Sequence, residues 1–197
     1  MRTPRLLTRT SLARIVGALA LGASLFCGTA AIAQTLPATA PELKAMRLEA
    51  GTWDADITFP SREAGKPDGK AKGVQVNTLK SGGMWIVNEF QVEGTPYQGT
   101  GLWGYDPKQG KYIGIWADNN EHRIRRDLGT WDEATQTMTW TAELHQADGS
   151  IAPLRFTEKF EGEKRTFHMI AIGPKTGKEV PLLHIVFTRR PGTAPQG

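Results

Sequence analysis

The chain has 197 residues, a length suited to one domain of ordinary size. Charged residues make up 22% and hydrophobic residues 39%, a balance that excludes a disordered chain. The formal charge of +4 suggests a polyanion partner only until it is located. Residues 1–33 hold Arg2, Arg5, Arg9 and Arg14 and no acid, so the remainder carries 20 Lys and Arg against 20 Asp and Glu. A neutral domain speaks against nucleic acid as a partner.

Residues 1–33 read as a secretory signal peptide. Four arginines are followed by an apolar run over 15–26 and by Ala31-Ile32-Ala33 ahead of Gln34, with cleavage expected after Ala33. The run falls short of the ~20 residues that span a bilayer, so no membrane association is expected after cleavage. Phe26 before Cys27 departs from the small residue that a lipoprotein signal carries there. The expected location is the periplasm or the exterior. Removing the leader removes the single cysteine, which excludes disulfides, thiolate metal sites and cysteine nucleophiles together.

In chain order, a short helix comes first: Thr39 or Ala40 as cap, Pro41 in the first turn, then Leu43 and Met46 on one face up to Gly51. Alternating runs follow, separated by turn chemistry. Trp53, Ala55, Ile57 and Phe59 alternate with polar residues. Val74 and Val76 mark a second strand, and Ser81-Gly82-Gly83 turns into a third over 84–92. Further strands are expected over 97–105, 111–117, 122–131, 137–146, 154–160, 166–172 and 180–189. Between them lie Asp106-Pro107-Lys108-Gln109-Gly110 and other strong turn sequences.

About ten antiparallel strands in simple succession predict an all-β, up-and-down barrel with one short N-terminal helix, because closure removes the exposed edges. The expected layout is a signal peptide (1–33), an N-terminal segment (34–50), the barrel (51–190) and a disordered tail (191–197). Around the Asp132 turn, matching apolar faces sets Leu128 opposite Trp140, Ile124 opposite Leu144 and Arg125 opposite Glu143.

Gly51-Thr52-Trp53 opens the first strand and Arg189 closes the last, so an indole and a guanidinium can stack where a barrel shuts. This combination resembles the closure signature of lipocalins and their relatives. A further ordered set comprises Gly82-Gly83-Met84-Trp85, Gly99-Thr100-Gly101-Leu102-Trp103-Gly104-Tyr105-Asp106, Tyr112 and Trp116-Ala117-Asp118. It is similar to a bacterial domain-of-unknown-function family, often exported, with a lipocalin-like or nitrobindin-like, calycin-type barrel. The resemblance spans Gly51 to Arg189 and implies a cavity but no catalytic residues.

Gly99, Gly101 and Gly104 also spell the dinucleotide fingerprint, yet no helix follows to receive a pyrophosphate, so they read as bends in a curved wall. Of six tryptophans, Trp103, Trp116 and Trp140 are candidates to line a pocket. Asp118 and Arg126 are candidate polar contacts, Arg126 because it shares the parity of Ile124 and Leu128. The four histidines show no metal-binding spacing. His184, in an apolar strand, is a candidate ligand contact; the nitrobindin resemblance implies a haem or nitric-oxide role through such a late histidine. No catalytic residue, metal or cofactor is assigned. The expected function is non-covalent binding of a small apolar or amphipathic molecule. The alternatives are haem handling through His184 and an enzyme built on Asp118 and His122. The sequence leaves the oligomeric state open.

Overall fold

The structure, a computed structural model, describes residues 40–193 other than 147 and 175. The leader assigned to residues 1–33, and residues 194–197 of the tail assigned to 191–197, lie outside the described residues. A helix α1 (Glu42–Glu49) precedes ten strands. These are β1 (Gly51–Phe59), β2 (Gly69–Lys80), β3 (Trp85–Val92), β4 (Gln98–Asp106) and β5 (Lys111–Asp118), then β6 (Arg125–Asp132), β7 (Thr137–His145), β8 (Ile151–Glu161), β9 (Lys164–Ile172) and β10 (Glu179–Arg189). Each pairs antiparallel with its chain neighbours, and β1 pairs with β10 to close the barrel. The closing register sets Trp53 opposite Arg189.

Alternation decides which side chains enter the barrel. On β1, Trp53, Ala55 and Ile57 are buried and point inward; on β8, Ala152, Leu154, Phe156, Glu158 and Phe160 do the same. α1 lies across one end, the floor, with Leu43, Ala45 and Met46 buried against Ile86, Trp103, Tyr112 and Trp140. Pro41 immediately precedes the helix, in helical conformation and without a side-chain cap. Gly51 then turns the chain into β1 at φ +120°, and a Cβ there would meet the Thr193 carbonyl oxygen at 2.8 Å. Backbone of this kind, so close to another segment, admits only glycine. The chain stays bound to β1 after β10: Arg190 N–H donates to the Thr52 carbonyl at 2.8 Å, and Thr52 N–H donates to Thr193 Oγ1 at 3.1 Å.

The glycines of β4 are seats for indole rings. A Cβ on Gly99 would fall 2.1 Å from Trp116, one on Gly101 2.1 Å from Trp103, and one on Gly104 2.6 Å from Trp85. The fingerprint spacing is thus a packing pattern in a strand.

The same device corrects the register expected around the Asp132 turn. The structure pairs Leu128 with Thr141 and Gly129 with Trp140, one residue away from the match of apolar faces. A Cβ on Gly129 would lie 2.7 Å from the Trp140 indole, so the ring requires the glycine opposite. β6 therefore turns Arg125, Asp127, Gly129 and Trp131 inward. Leu128 and Ile124 are left 50% and 59% exposed, and Arg126 is on the outer wall. Arg125 does not pair with Glu143; it holds Asp127 through Nε–Oδ1 at 2.7 Å and Nη2–Oδ2 at 3.0 Å. An inward ion pair reversed the polarity that alternation normally reports.

Gly101→Ala is expected to destabilise the fold by about 1–3 kcal/mol, the usual cost of forcing extra volume against a fixed ring. The exposed Thr100→Ala should cost far less. Urea unfolding of both variants checks the difference.

Candidate functional site

The two ends of the barrel differ in chemistry. At the floor, β9 delivers Arg165, whose side chain is wholly buried. Its Nη1 lies 3.0 Å from Glu49 Oε1 of α1 and 3.0 Å from Glu158 Oε2 of β8, and Nη2 donates to Gln75 Oε1 of β2. The guanidinium lies 4.2 Å from the Phe187 ring centroid and 5.0 Å from that of Trp53. Both carboxyls take a further indole donor: Trp103 Nε1 donates to Glu49 at 2.7 Å, and Trp140 Nε1 to Glu158 at 3.1 Å. The Glu49 carbonyl accepts from Trp53 Nε1 at 2.8 Å and from Asn77 Nδ2 at 2.9 Å. The Arg189 guanidinium lies 4.1 Å from the Trp53 ring centroid and donates through Nη2 to the Leu48 carbonyl at 2.6 Å. The side chains of the floor are buried and bonded to one another.

Two carboxyls facing one guanidinium leave a surplus negative charge where water is excluded, so one retains its proton. Burial, reinforced by Glu158, pushes Glu49 up to about 8, against the pull of Arg165 and Trp103. Burial also raises Glu158.

At the opposite end, the mouth, a cavity of about 530 Å³ opens. Its walls are the inward side chains Ile57, Phe59, Ala71, Phe90, Leu183 and Ile185. The connections at the rim add Pro96, Tyr97, Asn119 and Asn120. Phe90 meets Tyr97 and Phe187 edge to face, at 6.3 Å in each case, which fixes the wall. Tyr97 donates its hydroxyl to Asp118 Oδ2 at 3.1 Å, the same oxygen accepts from Trp116 Nε1 at 3.0 Å, and Asp118 Oδ1 accepts from Asn120 N–H at 2.9 Å. Burial, with the Asp118 charge beside it, pushes the Tyr97 hydroxyl up to about 12, so it stays a donor at neutral pH.

The residues singled out from sequence do not converge on one place. Trp103 and Trp140 are buried at the floor, their rings 6.3 Å apart, and hold the two carboxyls. Trp116 and Asp118 stand together behind the rim of the mouth. Gly51, Trp53 and Arg189 meet where β1 and β10 join. Arg126 is exposed on the outer wall. His184 is also on the outer wall, because Ile185 and Phe187 take the inward positions of β10; its ring stacks on His168 at 4.3 Å and 5°. His122 is exposed in the connection before β6, and no hydrogen bond joins it to Asp118 among the described residues. None of the four histidines lines the mouth cavity. Among the described residues no cluster of three or more His, Cys, Asp or Glu is placed to hold a metal ion.

Sequence reasoning missed Phe90, Tyr97, Leu183 and Asn119, which line the mouth, and the inward Arg125. The parity of Trp53, Ala55, Ile57 and Phe59 was the available signal for the first wall, since its last two members line the cavity.

The raised Glu49 gives a signed pH dependence. Between the ordinary value of 4.5 and about 8, the unfolded chain has released a proton that the folded chain keeps. Folding stability therefore falls as pH rises through that window and levels off above it. Glu49→Gln, which has no proton to lose, should flatten the slope; urea unfolding at several pH values from about 5 to about 9 measures it.

Comparison with curated proteins finds no match. Among solved structures, the crystal structure of Rv2717c from M. tuberculosis is similar with a TM-score of 0.57 and 16% sequence identity, covering 77% of this chain and 98% of that one. Similarity at that identity carries the fold alone. Residues 39–189 match the family described as "Protein of unknown function (DUF1579)", and the chain belongs to that family.

Proposed function

We propose that this protein is an exported binding protein that takes a small, largely apolar molecule into the mouth of its barrel. The observation that carries the reading is the 530 Å³ cavity with apolar walls and a short polar rim. Its volume falls in the range of about 300–1,000 Å³ typical of small-molecule sites. Ile57, Phe90, Leu183 and Ile185 supply contact area, and Tyr97, Asn119 and Asn120 supply orientation. Tyr97 is suited to that task because Asp118 fixes its hydroxyl and the hydroxyl keeps its proton. Export is supported by the arginines, apolar run and Ala31-Ile32-Ala33 of the leader.

Binding without covalent chemistry fits this site better than catalysis. The Asp118 oxygens are occupied by Tyr97, Trp116 and Asn120, which is the bonding of a positioning group. A haem reading through His184 has no support inside the barrel, since that imidazole faces out beside His168.

Titration of residues 34–197 with the neutral fluorescent lipophile N-phenyl-1-naphthylamine tests the proposal. Saturable enhancement is expected, weakened about tenfold or more by Ile57→Trp, which fills the cavity from β1. Absence of saturable binding, or wild-type binding by a folded Ile57→Trp variant, would contradict it.

A further inference from the structure

The barrel wall is split beside the mouth. β6 pairs with β7 only from Leu128↔Thr141 to Asp132↔Thr137. Beyond that fork β7 runs on to His145 bonded to β8 alone, while Arg125 and Arg126 pair only with Trp116 and Ile115 of β5. The strands separate around a cleft of about 780 Å³, lined by Arg123, Ile124, Arg125, Arg126, Leu128 and Ala142 among others. Asn119 and Asn120 border the mouth cavity, and Glu121, Arg123 and Ile124 border the cleft, so one connection divides the two spaces.

Arg125 is the group at the bottom of this cleft. Its side chain is 21% exposed, and its guanidinium lies 4.9 Å from the Phe156 ring centroid and 5.9 Å from that of Trp116. Asp127 takes the Nε and one Nη2 proton. A guanidinium has five N–H donors, so three remain, and no described residue accepts from them. Asp127 anchors the group while its other edge stays available, an arrangement that matches a planar, two-oxygen acceptor. Arg123 and Arg126, at the same cleft, have no ion-pair partner among the described residues. The acids of the cleft are differently placed. Asp127 is already paired, Glu121 is exposed, and Glu143 is 70% exposed with His145 Nε2 at 3.8 Å. Ile124 and Leu128, both at least half exposed, add aliphatic surface to the walls.

We infer that the β6–β7 cleft is a second binding site, separate from the mouth cavity, for an organic carboxylate with an apolar body. The carboxylate docks on the available edge of Arg125, within the field of Arg123 and Arg126. The apolar part lies on Ile124, Leu128 and Ala142.

Calorimetric titration with decanoate, with decanol as the uncharged control of equal chain length, tests this. Decanoate is expected to bind about tenfold more tightly or better, with an affinity that falls as salt is added. Arg125→Lys keeps a cation beside Asp127 but loses the second donor edge, and should erase most of that advantage. Arg123→Ala/Arg126→Ala, two exposed changes that leave the interior untouched, should reduce the salt-dependent part. Leu183→Trp, which fills the mouth, should leave decanoate binding unchanged. Equal binding of decanoate and decanol overturns the proposal. So does undiminished binding by the Arg123→Ala/Arg126→Ala variant and a folded Arg125→Lys, or loss of decanoate binding in Leu183→Trp. The mouth proposal has its own neutral probe and stands or falls apart from these results.

Discussion

One buried cation organises the closed end of this barrel. Arg165 has no contact with solvent, and a guanidinium in that position is tolerable only if charge and hydrogen-bond acceptors surround it. They arrive from Glu49 of α1, Glu158 of β8 and Gln75 of β2, while Trp53 of β1 and Phe187 of β10 supply aromatic faces. The group thereby touches both strands of the seam and the helix beneath it. Removing the ionised carboxyl would strand the guanidinium, and removing the arginine would strand that carboxylate. Hydrophobic packing alone would hold α1 in many azimuths; these bonds select one.

The consequence is a barrel with two unlike ends. The floor is filled by indoles whose N–H groups are committed to Glu49 and Glu158, so those tryptophans serve the architecture. The mouth keeps its apolar side chains uncovered, and among the described residues the one α-helix packs at the other end. Between the two, Trp53, Ala55, Phe90 and Phe187 form a barrier of buried side chains. The mouth cavity lies in the half of the barrel away from α1. The split between β6 and β7 lies in that same half.

Much of this was legible in the sequence. Short turns between alternating runs implied a meander, and Trp53 and Arg189 stood at the two strand ends that a closed barrel must join. Glu158, interrupting the apolar alternation of Leu154, Phe156 and Phe160, was visible as an anomaly. Its meaning was not, because its partners Glu49 and Arg165 come from other elements and only the closed fold brings them together. β6 misled for a different reason: Ile124 and Leu128 suggested an inward face, but the tertiary demand for a glycine beneath Trp140 and an interior Arg125–Asp127 pair overrode the pattern. Alternation reports burial only when the buried positions are apolar. The histidines were illegible for the same reason, since both faces of β10 carry aliphatic residues around His184 and only the pairing shows which is inside.

The central claim is that the barrel receives its guest at the mouth while the floor stays shut. Amide and side-chain chemical shifts of the isotopically labelled protein, recorded while N-phenyl-1-naphthylamine is added, test that claim most directly. The account predicts that the perturbed signals are those of Ile57, Phe90, Tyr97, Asn119 and Leu183, with the Trp103, Trp140 and Arg165 side-chain signals unmoved. Perturbations centred on the floor, with the mouth residues silent, would contradict it.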